Sequence, residues 1–293
     1  MKVAVFGATG TIGAPLLPLL ARQHEVVAIS RKPHAVVPGI EWRQADASDA
    51  ASVRLVLEEV EVAYYLVHSL GSSDFEERDL QAASTIAAEA ERAQLRQLIY
   101  LGGLGETEDK LSPHLRSRIE TGRRLESGAV PVTTLRAAMV IGPGSAAFET
   151  VVALVDRLPA MICPRWVAVP TQPIALDDAL AYLTGVCGLE QAFGRSFDIG
   201  GPEVMTYRQM IERIATLRDK HPLIVEVPLL TPRLSSYWLH LVTPVKAAVA
   251  RPLIEGLRSE TVARETSIAE LVPLELTPFG EAAREALRYP SSP

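Results

Sequence analysis

The run Gly7-Ala8-Thr9-Gly10-Thr11-Ile12-Gly13 limits what this chain can fold into more than any other feature of it. It follows directly on the valine-rich segment 2–6 and precedes an apolar, helix-periodic stretch at 11–22. A short apolar run of this kind reads as a buried strand, so the chain must turn and enter a helix within a few residues. Each glycine then has a separate task. Gly7 permits the tight turn, Gly10 removes a Cβ from the path of an approaching phosphate, and Gly13 lets the helix pack close to the strand. Amides at the start of the helix complete an anion site. The expectation is a pyrophosphate held by Gly7, Thr9, Gly10, Thr11, Ile12 and Gly13.

Strand and helix signals then alternate. Strands are expected at 25–30, 41–45, 62–67, 97–101 and 132–141, and helices at 50–58, 75–93 and 112–127. Ser112-Pro113 reads as an N-cap followed by proline at the first helical position. Such alternation predicts an α/β fold, a Rossmann-type doubly wound parallel sheet. Beyond Gly142-Pro143-Gly144, prolines at 159, 164, 170 and 173 interrupt the pattern. Helices are expected there at 178–189, 207–218, 232–242 and 279–288, with strands at 195–199 and 223–227. The division expected is a dinucleotide-binding core over 1–145 and a smaller, mainly helical substrate lobe over 146–293. Some segments of the lobe are expected to return to the core.

Composition removes several classes. At 293 residues, 48% hydrophobic and 22% charged, the chain has globular proportions, which argues against disorder or a coiled coil. Acidic residues outnumber basic ones by 35 to 29, and no basic tract interleaves with aromatics, so no nucleic-acid partner is expected. Cys163 and Cys187 form no CxxC pair, which suits a reducing compartment and a cytoplasmic location. No apolar run approaches bilayer length, so no membrane partner is expected. The six histidines show no HxxxH pair, and no metal is expected. A Gly-x-Ser-x-Gly elbow and a GxxxxGK[ST] loop are both missing.

Cofactor choice is decided at the end of the second strand, where an acid would bond the adenosine ribose and a basic residue would accept a 2′-phosphate. Here the strand runs into Ser30-Arg31-Lys32. With no acid present, NADP(H) is expected over NAD(H), which stays possible. Arg31 would fork the phosphate, assisted by Ser30 or Lys32. Asp46, followed by Ala47, reads either as an adenine ligand or as the N-cap of the next helix.

These residues resemble the short-chain dehydrogenase/reductase superfamily, in its atypical and extended branches close to NmrA-like and epimerase-like proteins. The likeness spans most of the chain. It includes Tyr64-Tyr65-Leu66-Val67-His68-Ser69, Leu135-Arg136-Ala137-Ala138-Met139-Val140-Ile141-Gly142-Pro143-Gly144, Pro173 to Asp178, and Phe197-Asp198-Ile199-Gly200-Gly201-Pro202. The resemblance implies a nicotinamide cofactor across the carboxyl ends of the strands, contacted by Leu66, Val67, His68, Gly102 and Ala137. In conventional members a Tyr-x-x-x-Lys pair delivers the proton. This chain departs from that pattern, with His114 and Arg118 at the same spacing and Gly102-Gly103 where a Ser or Thr would stand.

His114 reads either as a substitute proton donor or as a helix-start residue, since the helix dipole and Arg118 both disfavour the imidazolium. Arg118 is expected to bind the ribose or a substrate anion. Tyr64, Tyr65 and Tyr100 read as core, and Asp177-Asp178 as an N-cap. The apolar segment 229–257 reads first as the lining of a substrate pocket, with an interface and a helical core as the alternatives. The function expected is an NADP(H)-dependent reductase of a small carbonyl or unsaturated substrate, acting as monomer or homodimer. A non-catalytic redox sensor and a sugar-nucleotide epimerase or dehydratase are the alternatives.

Overall fold

The computed structural model describes residues 1–34, 37–68, 75–105, 112–227 and 259–289. The segment 229–257, with its expected helix at 232–242, lies outside them. In chain order the first half contains β1 (Lys2–Phe6), α1 (Gly13–Leu20), β2 (Glu25–Ser30), β3 (Ile40–Gln44), α2 (Ala50–Val56), β4 (Val62–Tyr65), α3 (Phe75–Arg92), β5 (Gln97–Gly103), α4 (Pro113–Glu126) and β6 (Val132–Ala137). Then follow β7 (Val140–Ile141), α5 (Ala146–Arg157), β8 (Ala160–Pro164), β9 (Pro170–Thr171), β10 (Ile174–Ala175), α6 (Leu176–Gly185) and β11 (Ser196–Ile199). The chain continues through β12 (Met205–Thr206), α7 (Tyr207–Leu217), β13 (Leu223–Val227), α8 (Ile268–Leu271) and α9 (Phe279–Arg288).

Seven strands form one parallel sheet in the order β11-β6-β5-β4-β1-β2-β3, the Rossmann-type doubly wound arrangement expected from the sequence. The order reverses at β1, which pairs with β2 on one side and β4 on the other. Side chains alternate between the two faces of a strand, so each face builds its own core. Val3, Val5 and Tyr64 pack with Leu16 and Leu20 of α1 and Leu183 of α6. Ala4, Phe6 and Tyr65 pack on the opposite face with Val53 of α2, Ile86 of α3 and Leu125 of α4. A third cluster, among them Phe148, Val155, Met210, Ile214 and Phe279, unites α5, α7 and α9 beside the sheet.

Two buried polar networks fasten the second half to this sheet. Gln97 of β5 donates to Thr133 Oγ1 at 2.8 Å and to the Val186 carbonyl at 3.0 Å, while its Oε1 accepts from Gly188 N at 2.8 Å. Thr133 in turn donates to the Ala192 carbonyl at 2.7 Å. Asp198 of β11 accepts from the amides of Arg264 and Glu265 at 3.0 and 3.3 Å and pairs with Arg136 at 2.7 Å. A satisfied network such as that of Gln97 and Thr133 specifies one docking geometry, because any slip leaves a buried polar group unpaired.

Several elements depart from the sequence reading. The strand expected over 132–141 is two strands. β5 ends at Gly103 opposite Ala137, so β6 has nothing further to pair with, and after Met139 the chain finds β10 instead. Helix α5 was not anticipated, although Ser145 caps it by accepting from Phe148 N at 3.5 Å. Asp178 is not an N-cap. Ala175 holds that position without a side-chain bond, and Asp178 accepts from Thr277 N at 2.8 Å and Thr277 Oγ1 at 3.0 Å, anchoring the C-terminal segment.

Candidate dinucleotide site

At the reversal point the carboxyl ends of β1, β2, β3 and β4 enclose a cleft of about 410 Å³. Open α/β sheets bind ligands at this position because the connections on either side of it leave in opposite directions. The floor is the glycine loop. Gly7 has a φ of +85°, and a Cβ placed on it would lie 2.8 Å from the Leu66 carbonyl oxygen. The loop and the end of β4 therefore touch through backbone alone. A Cβ on Gly13 would lie 2.2 Å from Gly7 O, so only glycine lets the first turn of α1 close over the loop. Gly10 N donates to Gly7 O at 3.0 Å.

No side chain caps α1, whose N-cap position is Ile12. Ala14 N already donates to Gly10 O at 3.0 Å and Pro15 has no amide hydrogen, which leaves the amides of Ile12 and Gly13 as the donors a pyrophosphate would meet at this end. The donor set and the space left by the glycines thus fit a dinucleotide.

Of the expected ligands, the cleft brings together Gly7, Thr9 and Gly10 with Ser30, Arg31, Asp46 and Ala47. Leu66, Val67 and His68 close it from β4. Thr11, Ile12, Gly13, Lys32, Gly102, Ala137 and Arg118 are not among the residues that line it. Thr11 Oγ1 donates instead to Gly144 O at 2.9 Å, tying the loop to the Gly142-Pro143-Gly144 turn. The turn after β2 is pinned by its own bonds: Ser30 Oγ donates to the Lys32 carbonyl, and Gln44 Nε2 to the Arg31 carbonyl at 3.0 Å. Arg31 itself is exposed. Asp46 is not the helix cap. Asp49 caps α2, accepting from Ala51 N and Ser52 N at 3.2 and 3.3 Å, and Asp46 Oδ1 accepts from Ser48 N at 2.9 Å.

His68 is more than a backbone contact. Its Nδ1 lies 2.6 Å from Oδ2 of Asp79, a carboxylate on α3 with 1% exposure. Phe75 meets the imidazole edge-on at 6.4 Å between ring centres. Burial pushes the imidazole below its ordinary pKa, the Asp79 hydrogen bond pulls it back, and the Arg118 charge lowers it further. Sequence reasoning missed Asp79, and also Arg78 and Ala82, which line the cleft from α3. No local pattern announces them, because they depend on how α3 is rotated against the end of β4.

The expected catalytic pair lies at the neighbouring strand ends. Ser112 caps α4 by accepting from Leu115 N at 3.2 Å, as the Ser-Pro signal suggested. His114 is the second residue of that helix, and its side chain lies outside the described positions. Arg118 Nη2 donates to the Leu101 carbonyl, and its guanidinium carbon lies 5.5 Å from the centre of the Tyr100 ring. Gly102 and Gly103 pair with Arg136 and Ala137 across β5 and β6.

The three strand tyrosines are core residues. Tyr64 and Tyr65 are 0% exposed and Tyr100 2%. Tyr64 donates to the Leu183 carbonyl at 2.8 Å and Tyr100 to the Arg118 carbonyl at 2.9 Å, and burial raises the pKa of all three phenols.

Among the described residues, no group of three or more His, Cys, Asp or Glu is placed to hold a metal, and no helix is long and apolar enough to cross a membrane.

Comparison with known proteins agrees with this geometry. Residues 7–130 match a family described as NAD(P)H-binding. No curated protein matches the sequence. Among solved structures, a nucleoside-diphosphate-sugar epimerase from Staphylococcus aureus superposes with a TM-score of 0.78 at 13% identity, covering 97% of this chain and 100% of that one. Triphenylmethane reductase from Citrobacter sp., complexed with NADP(H), gives 0.73 at 15% identity, with 98% and 100% covered. UDP-glucuronic acid 4-epimerase from Bacillus cereus, with UDP-glucuronic acid and NAD, gives 0.73 at 15%, with 98% and 97% covered. At such identities the likeness is one of fold. Together with the family match, it bears out the expected resemblance to NAD(P)-binding Rossmann proteins.

Proposed function

We propose that this chain, a Rossmann-type protein whose residues 7–130 match an NAD(P)H-binding family, is an NADP(H)-dependent oxidoreductase acting on a small carbonyl or unsaturated compound. The observation that carries the proposal is the glycine loop, packed backbone to backbone against the end of β4 at the reversal point, with Arg31 on the adjoining turn. When bound, the nicotinamide would supply the hydride.

The chain's own residues have distinct tasks in this reading. Amides of the loop and of the start of α1 hold the pyrophosphate. Arg31, on a turn fixed by Ser30 and Gln44, accepts the adenosine 2′-phosphate, and Lys32 adds positive charge beside it. Asp46 receives the adenine amino group. His68, oriented by Asp79, stands where the chain leaves β4 toward the reacting end of the cleft. Arg118 is held on the β5 end by Leu101 and faces the ribose or a substrate anion there. His114, one turn earlier on α4, is the candidate proton donor.

A second reading is favoured by one specific departure. The helix after β5 has no Tyr-x-x-x-Lys pair, and Tyr64, Tyr65 and Tyr100 are committed to packing. A chain of this kind that binds the cofactor without turnover would act as a dinucleotide redox sensor. The same departure counts against sugar-nucleotide epimerisation, even though several structural neighbours are named as epimerases.

A screen of NADPH consumption against small aldehydes, ketones and activated alkenes separates the readings. Turnover with any of them, abolished by His114→Ala, supports the oxidoreductase and its donor. Turnover that survives His114→Ala rejects the donor alone. Absence of turnover, with NADP⁺ and NADPH bound at different affinities, favours the sensor. The reading further assigns the chain to the cytoplasm and makes it a monomer or homodimer, an oligomeric state that light scattering on the purified protein decides.

A further inference from the structure

Among the described residues that line the cleft, the charged side chains are Arg31, Asp46 and Arg78. One carboxylate against two guanidiniums leaves this wall basic, although the whole chain carries a formal charge of −6. Arg31 was legible as a phosphate ligand from its place after β2. Arg78 comes from a different element and has no such signal.

The rotation of α3 decides where Arg78 points. Asp79 is turned inward to His68 and buried, and successive residues of a helix are rotated by about 100°. Arg78 is accordingly exposed, on the side of α3 that borders the cleft. Ala82, four residues on and therefore on the same helix face, lines the cleft as well. A methyl group at 82 leaves the long Arg78 side chain room to lie along the wall. No described carboxylate forms an ion pair with it, and its neighbours Glu76 and Glu77 do not line the cleft. An exposed guanidinium that lines the same cleft as the glycine loop has the planar donor fork that matches phosphate oxygens.

We propose that Arg78 is a second phosphate-binding residue of the dinucleotide site, its guanidinium taking phosphate oxygens of the bound cofactor. The proposal rests on the dinucleotide reading above. Such a cofactor offers two phosphate sources, the pyrophosphate common to NADH and NADPH and the 2′-phosphate found only in NADPH.

Calorimetric titration of the full chain with NADPH and with NADH tests it, using wild type, Arg78→Ala, Arg78→Lys and, as a remote surface cation, Arg284→Ala. Arg78→Ala is expected to weaken NADPH by roughly tenfold or more, the loss of a charge-assisted hydrogen bond, and Arg78→Lys by less. An equal loss for NADH assigns the contact to the pyrophosphate, and an unchanged NADH affinity assigns it to the 2′-phosphate. Affinities within about twofold of wild type for both ligands would overturn the proposal. So would an Arg284→Ala loss as large as that of Arg78→Ala, which would reveal a general charge effect. If wild type binds neither ligand, the dinucleotide reading itself fails and takes this inference with it.

Discussion

His68 Nδ1 and Asp79 Oδ2 lie 2.6 Å apart at the carboxyl end of β4, a bond between an imidazole at the cleft and a carboxylate buried behind it. A buried carboxylate on one ring nitrogen selects the tautomer in which that nitrogen carries the proton. Nitrogen-15 NMR of wild type is expected to show His68 protonated at Nδ1 near neutral pH. Asp79→Asn removes the charge that supports the imidazolium, so its pKa should fall below the wild-type value. A rise would contradict the arrangement. Because burial holds the His68 pKa below its unfolded value, its contribution to stability is present above about pH 6.5 and is lost as pH falls through the depressed value. Urea denaturation of the apo protein should show stability declining in that direction.

Gly7 and Gly13 hold the cleft floor by lacking side chains. Gly13→Ala would set a Cβ 2.2 Å from a backbone oxygen, and Gly7→Ala would strain a φ of +85° besides meeting Leu66. Each substitution is expected to cost about 1–3 kcal/mol in urea denaturation and to abolish dinucleotide binding. Gly280→Ala is the contrast. Nothing lies within 4 Å of its added Cβ, and it should be neutral or stabilising by up to about 1 kcal/mol. Equal losses at Gly13 and Gly280 would contradict the packing described.

The first half of the fold was legible because its signals are local. The valine-rich β1, the glycine run and the periodicity of α3 each announce themselves within one element, and parallel pairing follows from the alternation. The segment 132–141 misled because strand-forming residues stand at both of its ends and apolar ones run on between them through Ala137-Ala138-Met139, while the break after Ala137 is set by where β5 ends, a long-range fact. The two-residue strands β9, β10 and β12 are too short to carry a period. In the site, the loop and Arg31 could be placed by their position after strands. Asp79 and Arg78 could not, since choosing which faces His68 and which faces the cleft requires the rotation of α3.

Arg31 tests cofactor choice. Its main chain is fixed by Gln44 while its side chain is exposed, so replacing it removes charge without disturbing the turn. Arg31→Ala is expected to weaken NADPH by about tenfold and to leave NADH little changed, as measured by calorimetry. Equal losses would remove the basis for assigning the 2′-phosphate to it.

Gln97 tests how the second half is fastened to the sheet. Gln97→Leu would leave the Gly188 amide, in the turn after α6, without its acceptor and the buried Thr133 hydroxyl without its donor, while the Val186 carbonyl would keep only Leu189 N at 3.3 Å. Unfolding in urea should show a loss of about 2–5 kcal/mol, with the midpoint falling accordingly. A change under about 0.5 kcal/mol, the range of an ordinary surface substitution, would mean that the network does not hold the two parts together.

The central claim is that the cleft between the glycine loop and the end of β4 holds a nicotinamide dinucleotide and prefers the phosphorylated form. Titrating the purified wild-type chain with NADPH and NADH in a calorimeter tests both parts at once. The account predicts one-to-one binding of each, tighter for NADPH. Binding of neither would contradict the site, and tighter binding of NADH would contradict the preference assigned through Arg31.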